Sequence, residues 1–521
     1  MKPSSATWGA SVLEVLTTGM YGDSKIIYRE YIQNACDQID KAVELGILRK
    51  DEGIIDIEIS KHDRTISISD NATGIKADEF EDTLVRIADS DKKIGQNKGH
   101  RGIGKLCGLA YCQTLVFTST YKGENVVSVL QYDAKKMREL IAEHTDSKKH
   151  TADDVLRAIS TFERIDDDNV TDEHYFKVEL IGINEENHVL LDKSLIRKYL
   201  SFVVPVPYQS SFHYRTKIYD YAKNNGLRID EYKIMVNAEE IFKEYKTYLK
   251  MGKDKDEVYD VEFKEIKDSN GALLAWAWIG VTRVSGQMSQ KINPMRCIRL
   301  RKENIQIGNE GTLSPYFTEE RFNGYFIGEV FVVSSQLIPN SQRDSFNENP
   351  TRLAFFNELS IYFKELSGRC RVGSDMNAAE TAQNSYEKLA TEFKEKCEKG
   401  MFVNPEQRAT EREKVEKAAQ KAEEKRAKVE KHKGRGDPVI VNVITWVESE
   451  RIEKKHPKVE LSEVDELYDN REKPSFRTDG DVWSRFSRKE RKLINQIFGI
   501  IVLNRDYARE TLIKKIEEEF K

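Results

Sequence analysis

Apolar residues recur every three or four positions between residues 27 and 42, which predicts an amphipathic helix. This stripe consists of Ile27, Tyr31, Ala35, Ile39 and Ala42. A polar stripe runs beside it at positions i, i+4 and i+7, and it consists of Glu30, Asn34 and Asp37. At about 100° per residue, these three side chains point the same way. Alone, the polar stripe is most simply interpreted as a solvated helix face.

Two alternating runs follow the helix and predict a β-hairpin. Residues 54–60 and 65–69 alternate apolar and polar side chains at period two, and residues 61–64 form the turn. The second run leads into Asp70 and, four residues later, Gly74. An acid at a strand end followed by a glycine leaves a carboxylate facing a cavity and a backbone open to close approach. Alone, this segment is also an ordinary turn.

A glycine-rich loop opens an apolar helix predicted from Leu106 to Cys112. Its glycines are Gly99, Gly102, Gly104 and Gly108. Such a loop presents free N–H groups and the positive end of the helix dipole to an anion, and phosphate is the natural ligand. The loop is not a P-loop, because Leu106 stands where that motif needs Ser or Thr. The order of elements also differs from a dinucleotide-binding fold.

Together, these motifs resemble the ATP site of the GHKL superfamily. That group includes DNA gyrase, the ninety-kilodalton heat-shock chaperone, sensor histidine kinases, MutL-type mismatch-repair proteins and the related MORC ATPases. The motifs stand in the order Glu30-x-x-x-Asn34-x-x-Asp37, Asp70-x-x-x-Gly74 and Gly99-x-x-Gly102-x-Gly104. The segment from Tyr21 to Asp37 is most similar to the chaperone. The resemblance covers roughly residues 8–200 and continues more weakly to about residue 365.

The resemblance implies a role for each matching position. Glu30 would be the general base that polarises the attacking water, and Asn34 would hold a Mg²⁺ ion that bridges the phosphates. Asp37 would be a supporting acid of the pocket. Asp70 would accept a hydrogen bond from the adenine amino group. The other implied nucleotide contacts are Gly74, Lys98, Gly99, Gly102, Ile103, Gly104, Lys105 and Thr118.

The resemblance places two of these contacts at the adenine and the glycines of the loop at the phosphates. Gly74 would give the base close access, and Thr118 would lie near the adenine on a strand at residues 114–118. The glycines would wrap the phosphates beneath a lid at residues 89–98, which is shorter than the chaperone's lid. Ala72 departs from the pattern, because many members have glycine there.

A later segment, residues 336–346, resembles the catalytic loop of the chaperone's middle domain. In the chaperone, an arginine of this loop reaches the γ-phosphate, so the resemblance implies the same role for Arg343. The alternative is a capped turn before a helix at residues 351–366, with Arg343 paired to Asp344.

Composition and charge narrow the class of protein. The chain has 521 residues, a net charge of −5 and six cysteines, none in a C-x-x-C pair. We therefore expect several domains, no globally basic surface and a reducing, cytoplasmic location. No apolar run is long enough to span a membrane, so no membrane partner is expected. Arg296, Arg299 and Arg301 are interpreted as alternating on a predicted strand, where they could form a basic stripe but are expected to be an ordinary solvated face.

The C-terminal third is predicted to be mostly helical. Residues 374–433 are strongly charged and predict a long exposed helix or weak coiled coil. Residues 439–447 predict a strand, and apolar helices follow from residue 493. These last helices either dimerise or pack on their own chain.

The predicted architecture is α+β and has four parts. They are an N-terminal Bergerat-type α/β sandwich ATPase domain (residues 1–205), an α+β transducer or middle domain (206–370), a charged helical linker (371–437) and a C-terminal assembly region (438–521).

The resemblance implies a Mg²⁺-dependent ATPase that works as a nucleotide-gated homodimeric clamp. Its substrate is open. A chaperone-like protein would remodel protein clients or serve a partner effector. A MutL- or MORC-type clamp would engage DNA or RNA in genome maintenance or antiviral (anti-phage) defence, and basic stretches at residues 406–435 and 485–492 favour this alternative. A third possibility is a sensor that binds ATP with little turnover.

Overall fold

The computed structural model describes residues 8–19, 22–85, 104–143, 150–251, 254–284, 286–399, 401–402, 405–434, 437–453 and 486–503. The chain divides into two compact units. The first comprises Met1–Thr282 and Gln287–Ser367, and the second comprises Arg283–Gly286 and Gly368–Lys521. The fold belongs to the α+β class that the sequence predicts.

The helices within the described residues are α1 (Ser11–Glu14), α2 (Ile26–Glu44), α3 (Phe80–Val85), α4 (Ala134–Glu143), α5 (Ala152–Ile159), α6 (Lys193–Val203), α7 (Arg215–Asn224), α8 (Pro350–Lys399), α9 (Pro405–Lys433), α10 (Pro438–Glu453) and α11 (Arg488–Leu503). A 3₁₀ segment spans Gly104–Ala110. The strands are β1 (Ile54–Ser60), β2 (Thr65–Asp70), β3 (Thr114–Thr120), β4 (Val126–Asp133), β5 (Ser160–Asp166), β6 (Tyr175–Ile181), β7 (Lys233–Val236), β8 (Glu239–Glu240), β9 (Tyr248–Met251), β10 (Asp254–Glu257), β11 (Asp260–Lys267), β12 (Leu273–Val281), β13 (Cys297–Lys302), β14 (Ile305–Gln306) and β15 (Ile327–Val332).

The larger sheet of the first unit has the strand order β5-β4-β3-β6-β2-β1-β7-β8. All its pairs are antiparallel except β1 with β7. The predicted hairpin is confirmed as β1 and β2, whose register runs from Ile55 opposite Asp70 to Ser60 opposite Thr65. Alternate side chains of both strands are buried, which explains the period of two in the sequence.

The predicted helix is confirmed as α2, and its apolar stripe packs into the core beneath this sheet. Every member of the stripe is at most 4% exposed: Ile27, Tyr31, Ala35, Ile39 and Ala42. Burying a large apolar side chain stabilises a fold by roughly 1.5–3 kcal/mol. The stripe therefore fixes the rotation of α2 and determines where its polar edge points.

The smaller sheet has the order β11-β12-β15-β13-β14. The expectation that Arg299 and Arg301 lie on a solvated face is wrong, because they are only 5% and 0% exposed. Glu329 on the neighbouring strand β15 forms a buried ion pair with Arg301, and the Arg299 guanidinium lies 4.5 Å from the ring centre of Phe202. The alternating arginines thus point into the interior of the protein, and the acid that pairs with Arg301 lies on a different strand.

Helices dominate the described part of the second unit. Helical structure is confirmed for the charged stretch, but a single long exposed helix is wrong. The stretch consists of the end of α8 and of α9, and Val415 of α9 is buried in one cluster with Phe393 and Cys397 of α8. The predicted strand at residues 439–447 is wrong, because these residues belong to α10. The helix begins there because Pro438 occupies its first position and Asp437 Oδ1 accepts the Val439 N–H over 3.0 Å.

Among the described residues, no helix is both long enough and apolar enough to span a membrane.

Candidate nucleotide site

Glu30 lies at the centre of the candidate site, on the polar edge of α2. Its side chain is 13% exposed, and its Oε1 lies 3.4 Å from the guanidinium of the buried Arg29. A Cβ atom placed on Gly104 would come within 2.8 Å of Glu30 Oε2. The start of the 3₁₀ segment therefore lies directly against the Glu30 carboxylate, and a larger residue at position 104 would displace that carboxylate.

Tyr31 fixes the same segment one residue further along α2. Its hydroxyl donates to the Lys105 carbonyl over 3.1 Å and accepts the Gly108 N–H over 3.0 Å. These two hydrogen bonds hold the exit of the glycine-rich loop on the helix that carries Glu30. The predicted apolar helix is thus present as a short 3₁₀ segment that ends at Ala110.

Asn34 and Asp37 follow Glu30 along the same edge of α2. Asn34 is half-buried and Asp37 is 6% exposed. Because successive positions at i+4 and i+7 share a helix face, an amide and a second acid lie beyond Glu30 toward the C-terminal end of α2. The structure therefore keeps the predicted trio on one side of the helix.

Asp70 ends strand β2 and is 5% exposed. Its Oδ1 accepts the Ala72 N–H over 3.1 Å. Burial raises the pKa of Asp70 to about 7, and the hydrogen bond from Ala72 only partly opposes this shift. A buried acid at the end of a strand is the feature that the sequence predicts for this position.

The strand register places Ser119, and not Thr118, on the face of the sheet that Asp70 shares. Asp70 pairs with Phe176 on β6, and Phe176 pairs with Ser119 on β3, so these three side chains share one face of the sheet. Thr118 points to the opposite face, because neighbouring residues of a strand alternate. The structure therefore does not bring Thr118 to Asp70, and it places Ser119 there instead.

Ser119 also fixes the turn that follows Asp70. Its hydroxyl accepts the Ile75 N–H over 2.9 Å and donates to the Tyr175 carbonyl over 2.8 Å. Sequence reasoning missed this residue. The alternation of β3 was the available signal, since Ser119 has the same parity as the buried Leu115 and Phe117.

Gly74 lies in the same turn and has a φ of +64°. A Cβ atom here would come within 1.7 Å of the Thr120 carbonyl oxygen. Glycine is thus required by the close packing of the turn against the ends of β3 and β6. Ala72, the departure from the family pattern, is fully buried, and its carbonyl oxygen lies 2.5 Å from Nδ1 of His174.

Arg343 lies on a tight loop that follows β15. The loop is closed by a β-bridge between Pro339 and Phe346 and by a 3.0 Å hydrogen bond from Asn340 N to Ser345 O. Arg343 has a φ of +54° and is 6% exposed. A left-handed backbone at a residue other than glycine costs about 1–3 kcal/mol and often marks a functional position.

The loop that carries Arg343 lies against helix α2, because Arg29 of that helix donates to the carbonyl of Gln342. Burial lowers the pKa of Arg343, and Glu30 is the group that most opposes this shift. Glu303 and Asp37 oppose it as well, whereas Arg29 adds to it. The structure therefore brings Arg343 and Glu30 together, although more than 300 residues separate them in the sequence.

The side chain of Lys105 forms a hydrogen bond with helix α3. Its Nζ donates over 2.7 Å to the carbonyl oxygen of Thr83, in the last turn of α3. The predicted contacts Lys98, Gly99, Gly102 and Ile103, and the predicted lid at residues 89–98, lie outside the described residues.

A comparison with protein families matches this region. Residues 25–161 match the family described as histidine kinase-, DNA gyrase B- and HSP90-like ATPase. This chain carries a GHKL-type ATPase domain. The match contains α2, the hairpin, Asp70 and the 3₁₀ segment, so the three motifs belong to one GHKL domain, as the sequence predicts.

Relatives of this chain include proteins named chaperone protein HtpG. The protein from Fusobacterium nucleatum subsp. nucleatum is 29% identical over 160 residues, which cover 27% of this chain and 26% of the relative. The protein from Halalkalibacterium halodurans is 34% identical over 106 residues (18% and 17%). The protein from Natranaerobius thermophilus is 23% identical over 210 residues (37% and 31%). The chain thus spans less than a third of the length of these relatives.

The residues of the GHKL domain fit an adenine nucleotide. The buried acid Asp70 offers an acceptor for an amino group at one end of the site. Glu30 and Asn34 offer a carboxylate and an amide at the other end, where Gly104 permits a close backbone approach. Asn34 is also an oxygen ligand of the kind that Mg²⁺ accepts.

Proposed function

We propose that this protein binds ATP in the GHKL domain and hydrolyses it with Glu30 as general base. The position of the Glu30 carboxylate, between Gly104 and the Arg343 loop, is the observation that carries this proposal. A carboxylate acts as general base when it lies within hydrogen-bond reach of the attacking water. Phosphoryl transfer then depends mainly on positioning and on neutralising charge.

Each side chain of the site has one task in this mechanism. Glu30 orients the water and takes its proton. Arg343 neutralises the negative charge that grows on the transferred phosphoryl group, as cationic side chains do in other nucleotide hydrolases. Asp70 accepts a hydrogen bond from the adenine amino group. Asn34 would hold Mg²⁺, which would supply positive charge to neutralise the phosphates.

Three variants test this assignment. Glu30→Ala should keep ATP binding and lower kcat by about 10²- to 10⁴-fold, the usual contribution of a general base. Asp70→Asn should lose ATP binding. Glu44→Ala, on the exposed end of the same helix, is the matched control and should behave as the wild type. Normal hydrolysis by Glu30→Ala would show that the general base is another residue.

We also propose that the protein works as a homodimeric clamp, with residues 438–521 as the assembly region. Leu493 on α11 is 57% exposed, whereas the adjacent Ile494 is 7% exposed. An exposed leucine on a terminal helix is the kind of surface that a second copy covers. Gel filtration of a chain lacking residues 483–521 tests this, and an unchanged mass for the shortened protein would refute it.

Protein clients are the substrates that we favour. The relatives reported above are named chaperones. On α9, Arg412 and Lys417 are already paired with acids one turn away, which weakens the argument for nucleic acid. Stimulation of the ATPase by an unfolded protein would support this choice, whereas salt-sensitive stimulation by DNA would favour the nucleic-acid alternative.

We place the protein in the cytoplasm. All six cysteines are free and buried, which is the usual state in a reducing compartment. Fractionation of cells that express the tagged protein would test this location.

A further inference from the structure

Phe176 lies directly beside Asp70 on the larger sheet. The register pairs Asp70 of β2 with Phe176 of β6, and it pairs Phe176 with Ser119 of β3. Residues paired across neighbouring antiparallel strands have Cβ atoms about 4.5–5.5 Å apart and point to the same face. The Phe176 side chain therefore begins next to the acid that is proposed above to accept the adenine amino group.

The face that carries Phe176 is the one covered by the core of the GHKL domain. Two residues further along the same three strands, this face carries Ile68, Val178 and Phe117, which are paired with one another. All three are at most 3% exposed, and they belong to the core cluster into which α2 packs. Phe176 thus points to the side of the sheet on which helix α2 lies.

Phe176 keeps an exposed part where its neighbours do not. On its other side, Asp70 is paired with Ile55 of β1. Ile55 and Ser119 are both fully buried, whereas Phe176 is half-buried. Of the two residues paired with Asp70, Phe176 is therefore the one whose apolar surface remains accessible to a ligand bound at the carboxylate.

The ring of Phe176 is supported by a second aromatic ring, that of Phe117. Their centroids are 5.9 Å apart and their planes differ by 24°. Phe117 is 1% exposed and is itself contacted edge-on by Tyr132, with centroids 6.2 Å apart. A ring supported in this way loses little further freedom when a ligand covers it, so more of the contact energy is realised as affinity.

The backbone at the start of β6 is bonded to the turn that follows Asp70. The Ser119 hydroxyl links the two, because it accepts the Ile75 N–H over 2.9 Å and donates to the Tyr175 carbonyl over 2.8 Å. Tyr175 immediately precedes Phe176 in the sequence. The carboxylate and the aromatic ring therefore keep a fixed position relative to each other.

A carboxylate beside an aromatic ring suits a base that has both an amino group and a broad apolar face. Cytosine carries an exocyclic amino group as adenine does, so an acceptor at Asp70 does not by itself separate these two bases. The two-ring adenine covers more of an aromatic surface than the one-ring cytosine, and apolar contact stabilises in proportion to the area removed from water. An aromatic wall therefore supplies a discrimination that the acid lacks.

We propose that Phe176 forms the apolar wall on which the base of the nucleotide packs, and that it determines the preference of the site for a purine over a pyrimidine. This inference rests on the proposed binding of ATP by the GHKL domain. It adds a residue that belongs to none of the three sequence motifs. Phe176 contacts the base and takes no part in hydrolysis.

Calorimetric titration of the full-length protein with the β,γ-imido analogues of ATP and CTP, which resist hydrolysis, tests the inference. The wild type should bind the ATP analogue more tightly. Phe176→Ala should weaken binding of the ATP analogue by about 5- to 150-fold, the range for losing one contact between an aromatic side chain and a base. It should weaken binding of the CTP analogue much less, so the preference for ATP should shrink. Phe176→Leu, which keeps part of the apolar surface, should lie between the two.

Phe162→Ala is the matched control, since Phe162 is also half-buried on this sheet and stacks on another phenylalanine, Phe80, with centroids 6.0 Å apart and planes 24° apart. Phe162 lies on the edge strand β5, away from Asp70. This variant should lose stability in urea as Phe176→Ala does, but it should keep the wild-type ratio of the two affinities. Phe176→Leu decides the question if Phe176→Ala does not fold.

The outcomes separate failure of this inference from failure of the proposed function. If the wild type binds the ATP analogue but the Phe176 variants keep the wild-type ratio, the role of Phe176 is refuted and the proposed binding of ATP stands. An equal change of the ratio in Phe162→Ala would also refute the role, because it would trace the effect to core packing. If the wild type does not bind the ATP analogue, the proposed function fails and the inference fails with it.

Discussion

The guanidinium of Arg29 donates to the carbonyl oxygen of Gln342 over 3.2 Å. The same group lies 3.4 Å from Glu30. A single buried arginine therefore joins the proposed general base to the residue that precedes Arg343. Helix α2 and the Arg343 loop are bonded to each other directly.

This contact predicts that Arg29→Ala impairs both stability and turnover. Removing the cation leaves the nearly buried Glu30 without this partner, and breaking a buried ion pair costs about 3–5 kcal/mol. The Gln342 carbonyl also loses a donor, so we expect the Arg343 loop to lose its register with Glu30. Chemical denaturation and ATPase assays measure the two effects. Arg49→Ala, whose side chain is 76% exposed, is the control and should change neither.

Asp70 predicts that ATP binding is linked to proton release. Burial raises the pKa of Asp70 from 3.8 to about 7. Between these values the folded protein keeps a proton that the unfolded chain has lost, so this contribution to the free energy of unfolding falls as the pH rises from about 4 to 7. An ionised carboxylate is a stronger acceptor for the adenine amino group than a protonated one, and we therefore expect ATP affinity to rise with pH and to level off above pH 7.

Calorimetry in buffers of different ionisation enthalpy measures the protons released by ATP at pH 6. Asp51→Asn, at a side chain that is 82% exposed, should leave this number unchanged. An ATP affinity that is independent of pH between 5 and 8 would contradict the assignment of Asp70.

Gly74 predicts a large loss of stability for a small substitution. In Gly74→Ala, the new Cβ would meet the Thr120 carbonyl at 1.7 Å, and the backbone would keep a φ of +64°. Both effects destabilise the fold, and we expect a loss of more than about 2 kcal/mol. Gly46→Ala is the matched control, because its φ is +69° but no atom lies within 4 Å. It should cost about 1 kcal/mol, from the backbone alone.

Glu329 forms buried ion pairs with both Lys243 and Arg301. We therefore expect substitutions of the acid and of Lys243 to have unequal effects on stability. Glu329→Gln leaves the fully buried Arg301 and Lys243 side chains without their acid, and we expect a loss of about 3–5 kcal/mol in the free energy of unfolding. Lys243→Met should cost much less, because Glu329 keeps Arg301 as its partner. Urea denaturation at neutral pH compares the two variants, and equal losses would show that Lys243 is as essential as the acid.

Lys243 also predicts a rise in stability at alkaline pH. Burial and the nearby Arg301 cation lower the pKa of Lys243 from 10.5 to about 7. Between these values the unfolded chain binds a proton that the folded protein has released, so this contribution to the free energy of unfolding increases with pH. Lys243→Met should lack this increase when both proteins are unfolded in urea across the same pH range.

The amphipathic elements could be predicted from the sequence because their signals are local. The apolar stripe of α2 and the alternation of β1 and β2 report directly which side chains are buried. The order of the three motifs then indicated the GHKL domain, which the family comparison supports over residues 25–161.

Contacts between distant segments could not be predicted in this way. The burial of Arg301 depends on Glu329, and no periodic pattern reveals which strand will lie beside which. Ser119 was missed for a related reason, since the pairing of β3 with β6 decides which side chain shares a face with Asp70. The start of α10 was a local signal that was overlooked, because Asp437 and Pro438 form a helix N-terminus before a β-branched run.

Gly104 and Glu30 constrain each other's evolution. The Glu30 carboxylate lies where a side chain at position 104 would begin, so such a side chain would have to push the carboxylate out of its present position. A descendant that lost Glu30, and with it the proposed hydrolysis, would be free to replace this glycine. A glycine retained at position 104 alongside Glu30 would thus record continued selection for the site, whereas decay of both positions together would mark a lineage that has abandoned it.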